Sequence, residues 1–155
     1  MEFLTVNERK HNMNKKLYHA LMKQENNDVL RLCRGLESGP LHILTVHDDT
    51  VLHVAAYSKQ TDLVLRLLEE LEMRLPEFPV DGLKHRNDMG NTIIHEITTF
   101  GRVDSAAQII LDREPDLLGM HNKTGETALF RAVRYGKAVM FDFLDQQVNQ
   151  FFFCL

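Results

Sequence analysis

Tryptophan is absent from this chain of 155 residues, cysteine occurs twice and proline four times. The two cysteines, Cys33 and Cys154, lie far apart and form no CxxC pair. That argues against a disulfide framework and against a thiolate metal knuckle, and fits thiols in a reducing compartment. No run of about 18 apolar residues occurs, so no bilayer span is expected. The opening MEFLTVNERKHNMNKK carries charge where a secretory signal needs its apolar segment. Without secretion, the glycosylation pattern Asn122-Lys123-Thr124 carries no meaning. A basic excess is also missing: Lys and Arg number 18 against 22 acidic residues, a net charge of -4. This disfavours nucleic acid as a partner, because phosphate neutralisation needs cations in surplus. Neither GxGxxG nor GxxxxGK occurs, so no phosphate cradle is signalled.

What is there is enough apolar material for a core: 44% hydrophobic and 26% charged residues, the balance of one soluble domain. The apolar residues recur. TVLHVAAYSKQTDLVLRLL from Thr50, TIIHEITTFGRVDSAAQII from Thr92 and TALFRAVRYGKAVMFDFL from Thr127 align without gaps. Counting from each threonine, Leu52, Ile94 and Leu129 share one position, and Ala55-Ala56, Ile97-Thr98 and Ala132-Val133 the next pair, all on one face of a short helix. Lys59, Gly101 and Gly136 mark a turn. Beyond it Val64, Ala106 and Phe141, then Leu67, Ile109 and Leu144, make a second apolar stripe. A weaker copy starts at Lys15, giving four units with starts at 15, 50, 92 and 127. The longer middle interval places an inserted loop near 72–86, where Pro76, Pro79 and Gly82 interrupt any helix.

Each unit is therefore expected to be two antiparallel helices with a tight turn and a polar connector. No unit can bury its apolar faces alone, so the units must stack. Thr50, Thr92 and Thr127 each precede an apolar helical run and are expected to be N-caps, their hydroxyls taking up a backbone N–H that would otherwise be unpaired.

Thr50-Val51-Leu52-His53-Val54-Ala55 resembles the ankyrin repeat, whose signature is T-P-L-H-x-A over about 33 residues. Thr92-Ile93-Ile94-His95 keeps the threonine and the histidine, and Gly90 and Gly125 stand two before their threonines, where that family places a hairpin glycine. No copy has the proline, Phe130 stands in place of the histidine and Lys59 in place of the turn glycine. The phrases GNTIIHE and GETALFRAVRYGK are more narrowly similar to plant ankyrin proteins that carry a membrane-spanning module after their repeats; that module is not in this sequence. The resemblance implies an all-α ankyrin-repeat solenoid over residues 15–148, with repeats near 15–46, 47–80, 87–121 and 122–148. Residues 1–14 are then a polar tail and residues 149–155 an apolar tail, read either as a truncated product or as a stretch of chain folded back on the last repeat.

The pair His95-Glu96 poses the one catalytic question. A zinc hydrolase of the His-Glu-x-x-His type needs a second histidine four residues on, and that position is Thr99. The other histidines have no ligand spacing, so no metal and no cofactor are expected. Cys33 lies on an apolar helix stripe and reads as a buried thiol rather than a nucleophile. The chain is expected not to be an enzyme. By resemblance, His53 and His95 tie neighbouring repeats together through hydrogen bonds.

The resemblance also implies where a protein partner binds: hairpin tips and the exposed inner side of each first helix. Carried over by position, the candidates are Tyr57 and Ser58, Asp88, Met89 and Asn91, Thr99 and Phe100, Lys123, and Arg134 with Tyr135. Aromatics and arginine dominate interface energetics. Residues 121–140 hold Lys123, Arg131, Arg134 and Lys137 against Glu126, so an acidic partner segment anchored on Arg134 and Tyr135 is expected. The function implied is a non-catalytic interaction module or scaffold in the cytoplasm. Two alternatives stand beside it: a regulatory segment of a plant membrane protein in signalling or stress and defence, at the cytoplasmic membrane face in a longer form, and a metal-dependent hydrolase using His95-Glu96.

Overall fold

The computed structural model describes residues 3–74, 80–100 and 105–153. Eight α-helices follow one another among them: α1 (Val6–Met22), α2 (Asn26–Arg34), α3 (Val51–Tyr57), α4 (Thr61–Met73), α5 (Ile93–Ile97), α6 (Ser105–Arg113), α7 (Ala128–Arg134) and α8 (Ala138–Phe153). They pair as α1/α2, α3/α4, α5/α6 and α7/α8. The first helices α3, α5 and α7 pack side by side in one layer, and α2, α4 and α6 in a second. This is the all-α stack of helix pairs that the repeats imply.

The core lies between the layers and repeats with the sequence. Leu52, Ala55, Ala56, Ile94, Ile97, Thr98 and Ala132 are fully or almost fully buried, as are Val64, Leu67, Ala106 and Leu144. Burial of aliphatic side chains at about 25 cal/mol per Å² of apolar surface is the main force that stacks the pairs. Val133 departs from the pattern. It is 57% exposed, with Phe130 beside it at 58%, because among the described residues no further helix pair covers the outer side of α7. Cys33 is buried, and burial pushes its thiol up to about 12, so it is inert as a nucleophile.

Thr50 and Thr127 act as N-caps, their hydroxyls accepting from the N–H of His53 at 3.2 Å and of Phe130 at 3.3 Å. Thr92 stands in the same place before α5. The turns recur as well. Gln24, Lys59 and Gly136 share one repeat position and all have positive φ, 57°, 59° and 64°; in the hairpins Asp48, Gly90 and Gly125 do the same at 60°, 75° and 79°. The backbone conformation is thus kept where the residue type is not. At Gly90 a second constraint applies, since a Cβ would lie 2.7 Å from the backbone nitrogen of Lys123. Gly101, expected to form the third turn, lies outside the described residues.

Three boundaries differ from those read in the sequence. Residues 1–14 are not simply a polar tail: α1 begins at Val6 and runs unbroken for 17 residues. Its start is fixed by a capping box, in which Thr5 Oγ1 accepts from the Glu8 N–H at 3.2 Å and Glu8 Oε2 from the Thr5 N–H at 2.7 Å. At the other end α8 continues through Asn149 to Phe153, so most of the apolar tail is helix. The inserted loop is narrower than 72–86, because α4 persists to Met73 and Val80–Lys84 form a 3-10 turn; residues 75–79 lie outside the described part.

Candidate partner-binding surface

The hairpins between repeats project from the first-helix layer, and a buried polar ladder beneath their tips holds them. Five residues before each capping threonine stands Thr45, Asn87 or Asn122. Asn87 Oδ1 accepts from the N–H groups of Met89 and Asn91 at 3.1 and 3.0 Å. Asn122 Oδ1 accepts from those of Thr124 and Glu126 at 3.1 and 2.9 Å. These Asx contacts fold the hairpins locally. The two amide groups then face the preceding repeat: Asn87 Nδ2 donates to Asp49 Oδ1 at 2.9 Å, and Asn122 Nδ2 to Asn91 Oδ1 at 3.0 Å. The backbone adds Asp88 N–H to His47 O at 2.8 Å and Lys123 N–H to Met89 O at 3.0 Å.

The two signature histidines complete the ladder. His53 Nε2 donates to Asn91 O at 3.1 Å and His95 Nε2 to Glu126 O at 2.9 Å, each reaching the next repeat. Their Nδ1 atoms accept, from the Thr50 hydroxyl at 2.8 Å and from the Thr92 hydroxyl and N–H at 2.9 and 3.1 Å. Both rings are therefore neutral with the proton on Nε2. Burial pushes the His53 imidazole down to about 4, against the carbonyl of Asn91, and also lowers that of His95.

This arrangement engages both residues of the pair His95-Glu96 in the ladder. Neither nitrogen of His95 has a free lone pair for a metal, and the Glu96 carboxylate, buried and held above its usual range by that burial, accepts from Asn91 Nδ2 at 2.8 Å. Among the described residues no group of three or more His, Cys, Asp or Glu is placed to hold a metal ion. Asn122 is likewise buried with its amide engaged, which removes it as a glycosylation acceptor.

Of the residues expected to bind a partner, most lie on the surface and two do not. Tyr57, Asp88, Met89, Lys123, Arg134 and Tyr135 are exposed, and Ser58 and Thr99 half-buried. Phe100 is only 2% exposed and belongs to the core. The cause is a short first helix: α5 ends at Ile97, where Thr98 and Thr99 turn their hydroxyls back to the carbonyls of His95 and Glu96 at 2.6 and 2.9 Å. Such back-bonding competes with the helix, and the tightened turn after it carries Phe100 inward. Asn91 is also buried, because its side chain is a rung of the ladder, bonded to Asn122 and Glu96.

Arg134 is exposed but not free. It forms an ion pair with Glu126 at 2.6 Å, and Arg131, buried, lies 3.8 Å from the same carboxylate and 3.9 Å from Glu96. Hydrogen bonds from Asn122 and Arg134 hold the Glu126 carboxyl below its usual range. The Tyr135 ring takes Arg131 at 5.1 Å and Arg134 at 5.9 Å from its centroid. Among the exposed residues outside the set expected from sequence are Val46, 91% exposed at the first hairpin tip, and Tyr18, 40% exposed on α1. Val46 was legible: a bare valine in a polar connector has no core to enter.

A model of the family described as ankyrin repeats, in three copies, matches residues 52–150. The matched stretch leaves out the first helix pair, α1 and α2, whose copy of the repeat is the weakest. A search of curated proteins finds no match. With stacked helix pairs, hairpins tied by the signature histidines and a family match over well more than half its length, the chain belongs to the ankyrin-repeat family.

Proposed function

We propose that the protein is a non-catalytic scaffold in the cytoplasm whose hairpin tips and inner helix face hold a protein partner. Ankyrin repeats are in general protein–protein interaction modules. The observation that carries the reading for this chain is a set of large side chains left exposed on the first helices and the hairpins, Tyr18, Val46, Tyr57, Met89 and Tyr135, from the first helix pair to the last. Apolar and aromatic side chains spaced over a rigid support fit the anatomy of an interface better than that of a bare surface. The ladder supplies the support, so little order has to be created on binding. A Tyr57→Ser, Met89→Glu double variant tests it: both side chains are exposed, so thermal unfolding should stay within a degree or two of the parent while capture of cross-linked protein partners is lost. Undiminished capture would remove the proposal.

The narrower reading, a regulatory segment of a plant membrane protein in signalling or defence, uses the same surface and adds a membrane-spanning module after the repeats. Among the described residues no helix is long and apolar enough to cross a membrane. Sequencing the parent transcript through its 3′ end, for apolar spans in frame, decides that point.

A further inference from the structure

Of the four cations expected to attract an acidic partner in the fourth repeat, the two arginines, Arg131 and the anchor Arg134, are already paired with Glu126 and Glu96. The opposite end of the stack is different. The unbroken α1 holds Arg9, Lys10, Lys15 and Lys16 against a single acid, Glu8, and that acid is engaged in the helix cap. Lys10, His11 and Lys15, with Asn14 and Tyr18, form one wall of a groove of about 450 Å³, and the first hairpin, Ile43 to Val46, forms the other. No carboxylate lines it. Among the described residues Lys10 and Lys15 make no ion pair. Tyr18 and Ile43 are each 40% exposed and Val46 91%, so the groove presents apolar side chains beside its two lysines. The two walls are fastened to each other: Asn14 Oδ1 lies 2.7 Å from His42 Nε2, and Asn14 Nδ2 donates to Leu44 O at 3.5 Å. The groove is thus a built feature. The charge of Lys10 also acts across this junction, adding to burial in lowering the His42 imidazole.

We propose that this groove receives an extended acidic segment of the partner protein, with carboxylates facing Lys10 and Lys15 and one apolar side chain seated between Tyr18 and Val46. The proposal rests on the reading that the inner side of the stack binds protein, and it moves the acidic contact from the fourth repeat to the first. Charge complementarity selects the occupant: unpaired cations at the mouth of a cleft in a protein of net charge -4 attract a segment that the rest of its surface repels. A basic or neutral segment would gain only the apolar contact. The nine helical residues that precede Lys15 carry Lys10, His11 and Asn14, so the α1 extension is what turns the edge of the first repeat into a cleft.

Selection from a random linear-peptide library on the whole protein, then fluorescence anisotropy of the enriched peptides, tests it. The expected peptides carry Asp or Glu flanking an apolar residue. Lys10→Glu with Lys15→Glu should weaken them about tenfold or more and Tyr18→Ser by a comparable factor, both with thermal unfolding unchanged, whereas Arg134→Glu, which lowers the unfolding temperature by breaking the pair with Glu126, should weaken them by no more than about twofold. Raised salt should weaken binding to the parent and not to the lysine double variant. Enrichment of neutral or basic peptides, or equal binding to the lysine double variant, overturns the proposal. Competition by a single-stranded oligonucleotide that is stronger than by the peptide itself does so too. Binding lost only in the Tyr57→Ser, Met89→Glu variant overturns it while leaving the proposed function standing; failure to enrich any peptide removes both.

Discussion

The junctions between helix pairs are built in two ways. Between the second, third and fourth pairs the lock lies at the hairpins: a neutral buried histidine donating to a carbonyl of the next repeat, and a ladder of asparagine and carboxylate side chains, buried except for the half-buried Asn87. Between the first and second pairs the hairpin contact is made by Asn14 of α1, to His42 and to Leu44 O, and further polar contacts reach across from the second pair. Arg74 donates to the carbonyls of Leu36 and Cys33 at 2.9 and 3.0 Å, Gln60 to that of Leu21 at 3.0 Å, and Arg34 pairs with Glu70. Where His53 and His95 stand in the later repeats, the first has Tyr18, partly exposed. The difference teaches that a repeat signature marks the method of joining, not merely the presence of a repeat. A pair without the histidine still stacks, held by apolar burial and by long side chains reaching backbone carbonyls.

The comparison can be broken most forcefully at His95. Replacement by alanine leaves a cavity and strands Glu126 O and the Thr92 donors in a buried site, so a loss of about 3 kcal/mol is expected in urea unfolding. A loss under about 1 kcal/mol would mean that the ladder holds without its histidine. Acid acts next, most strongly at the buried hairpin histidines and in the same direction at His42 beside α1. The folded His53 value, about 4, lies below the ordinary imidazole value of 6.5, so the folded protein binds fewer protons than the unfolded chain. Its contribution is therefore full above pH 6.5 and is lost as the pH falls toward 4, about 3 kcal/mol at most. The lowered His95 value acts in the same direction. Glu96 acts in the opposite one, since burial raises its carboxyl and the folded protein gains a proton through it on acidification. Urea midpoints between pH 7 and pH 4.5 should fall in the parent and fall less in His53→Gln; parallel curves would contradict the assignment.

The outer strap gives a smaller effect. Arg74→Met removes the hydrogen bonds to the carbonyls of Leu36, Glu37 and Cys33 but keeps the apolar stem, and should cost about 1 kcal/mol, with faster amide exchange in α1 and α2 and little change in α5. Equal acceleration in both regions would show that the junctions open together. The smallest change sharpens the turns. Lys59 has φ 59° at the position where the fourth repeat has Gly136 at 64°, so Lys59→Gly should stabilise by something under about 1 kcal/mol. A destabilisation there would mean that the lysine contributes a contact that outweighs its backbone strain.

How far the fold and the surface are legible in the chain depends on the kind of signal. Apolar periodicity carries the helix pairs, because Leu52, Ile94 and Ala132 can satisfy a 3.6-residue spacing in only one way. The threonines carry helix starts, yet the same logic at Thr5-Val6-Asn7-Glu8, a capping box in plain letters, is masked because no apolar stripe comes after it. Phe100 escapes for a different reason. Its expected exposure rests on alignment with Tyr57 and Tyr135, and alignment takes equal helix lengths for granted; two consecutive threonines shorten α5. Asn91 and Arg134 escape because their partners, Asn122 and Glu126, become neighbours only on folding. Periodicity announces what faces the core, but pairing among polar residues is a product of the stack itself.

His53 and His95 address carbonyl oxygens of the main chain, and every residue has one. The histidine's share of the coupling is therefore indifferent to which side chain occupies the receiving hairpin position, and Asn91 and Glu126 already differ there. The asparagine rungs, Asn87 to Asp49 and Asn122 to Asn91, do tie a repeat to the side chains of its neighbour. The tips and inner face stay free to drift toward whatever they are to hold, while the joint beneath them stays the same.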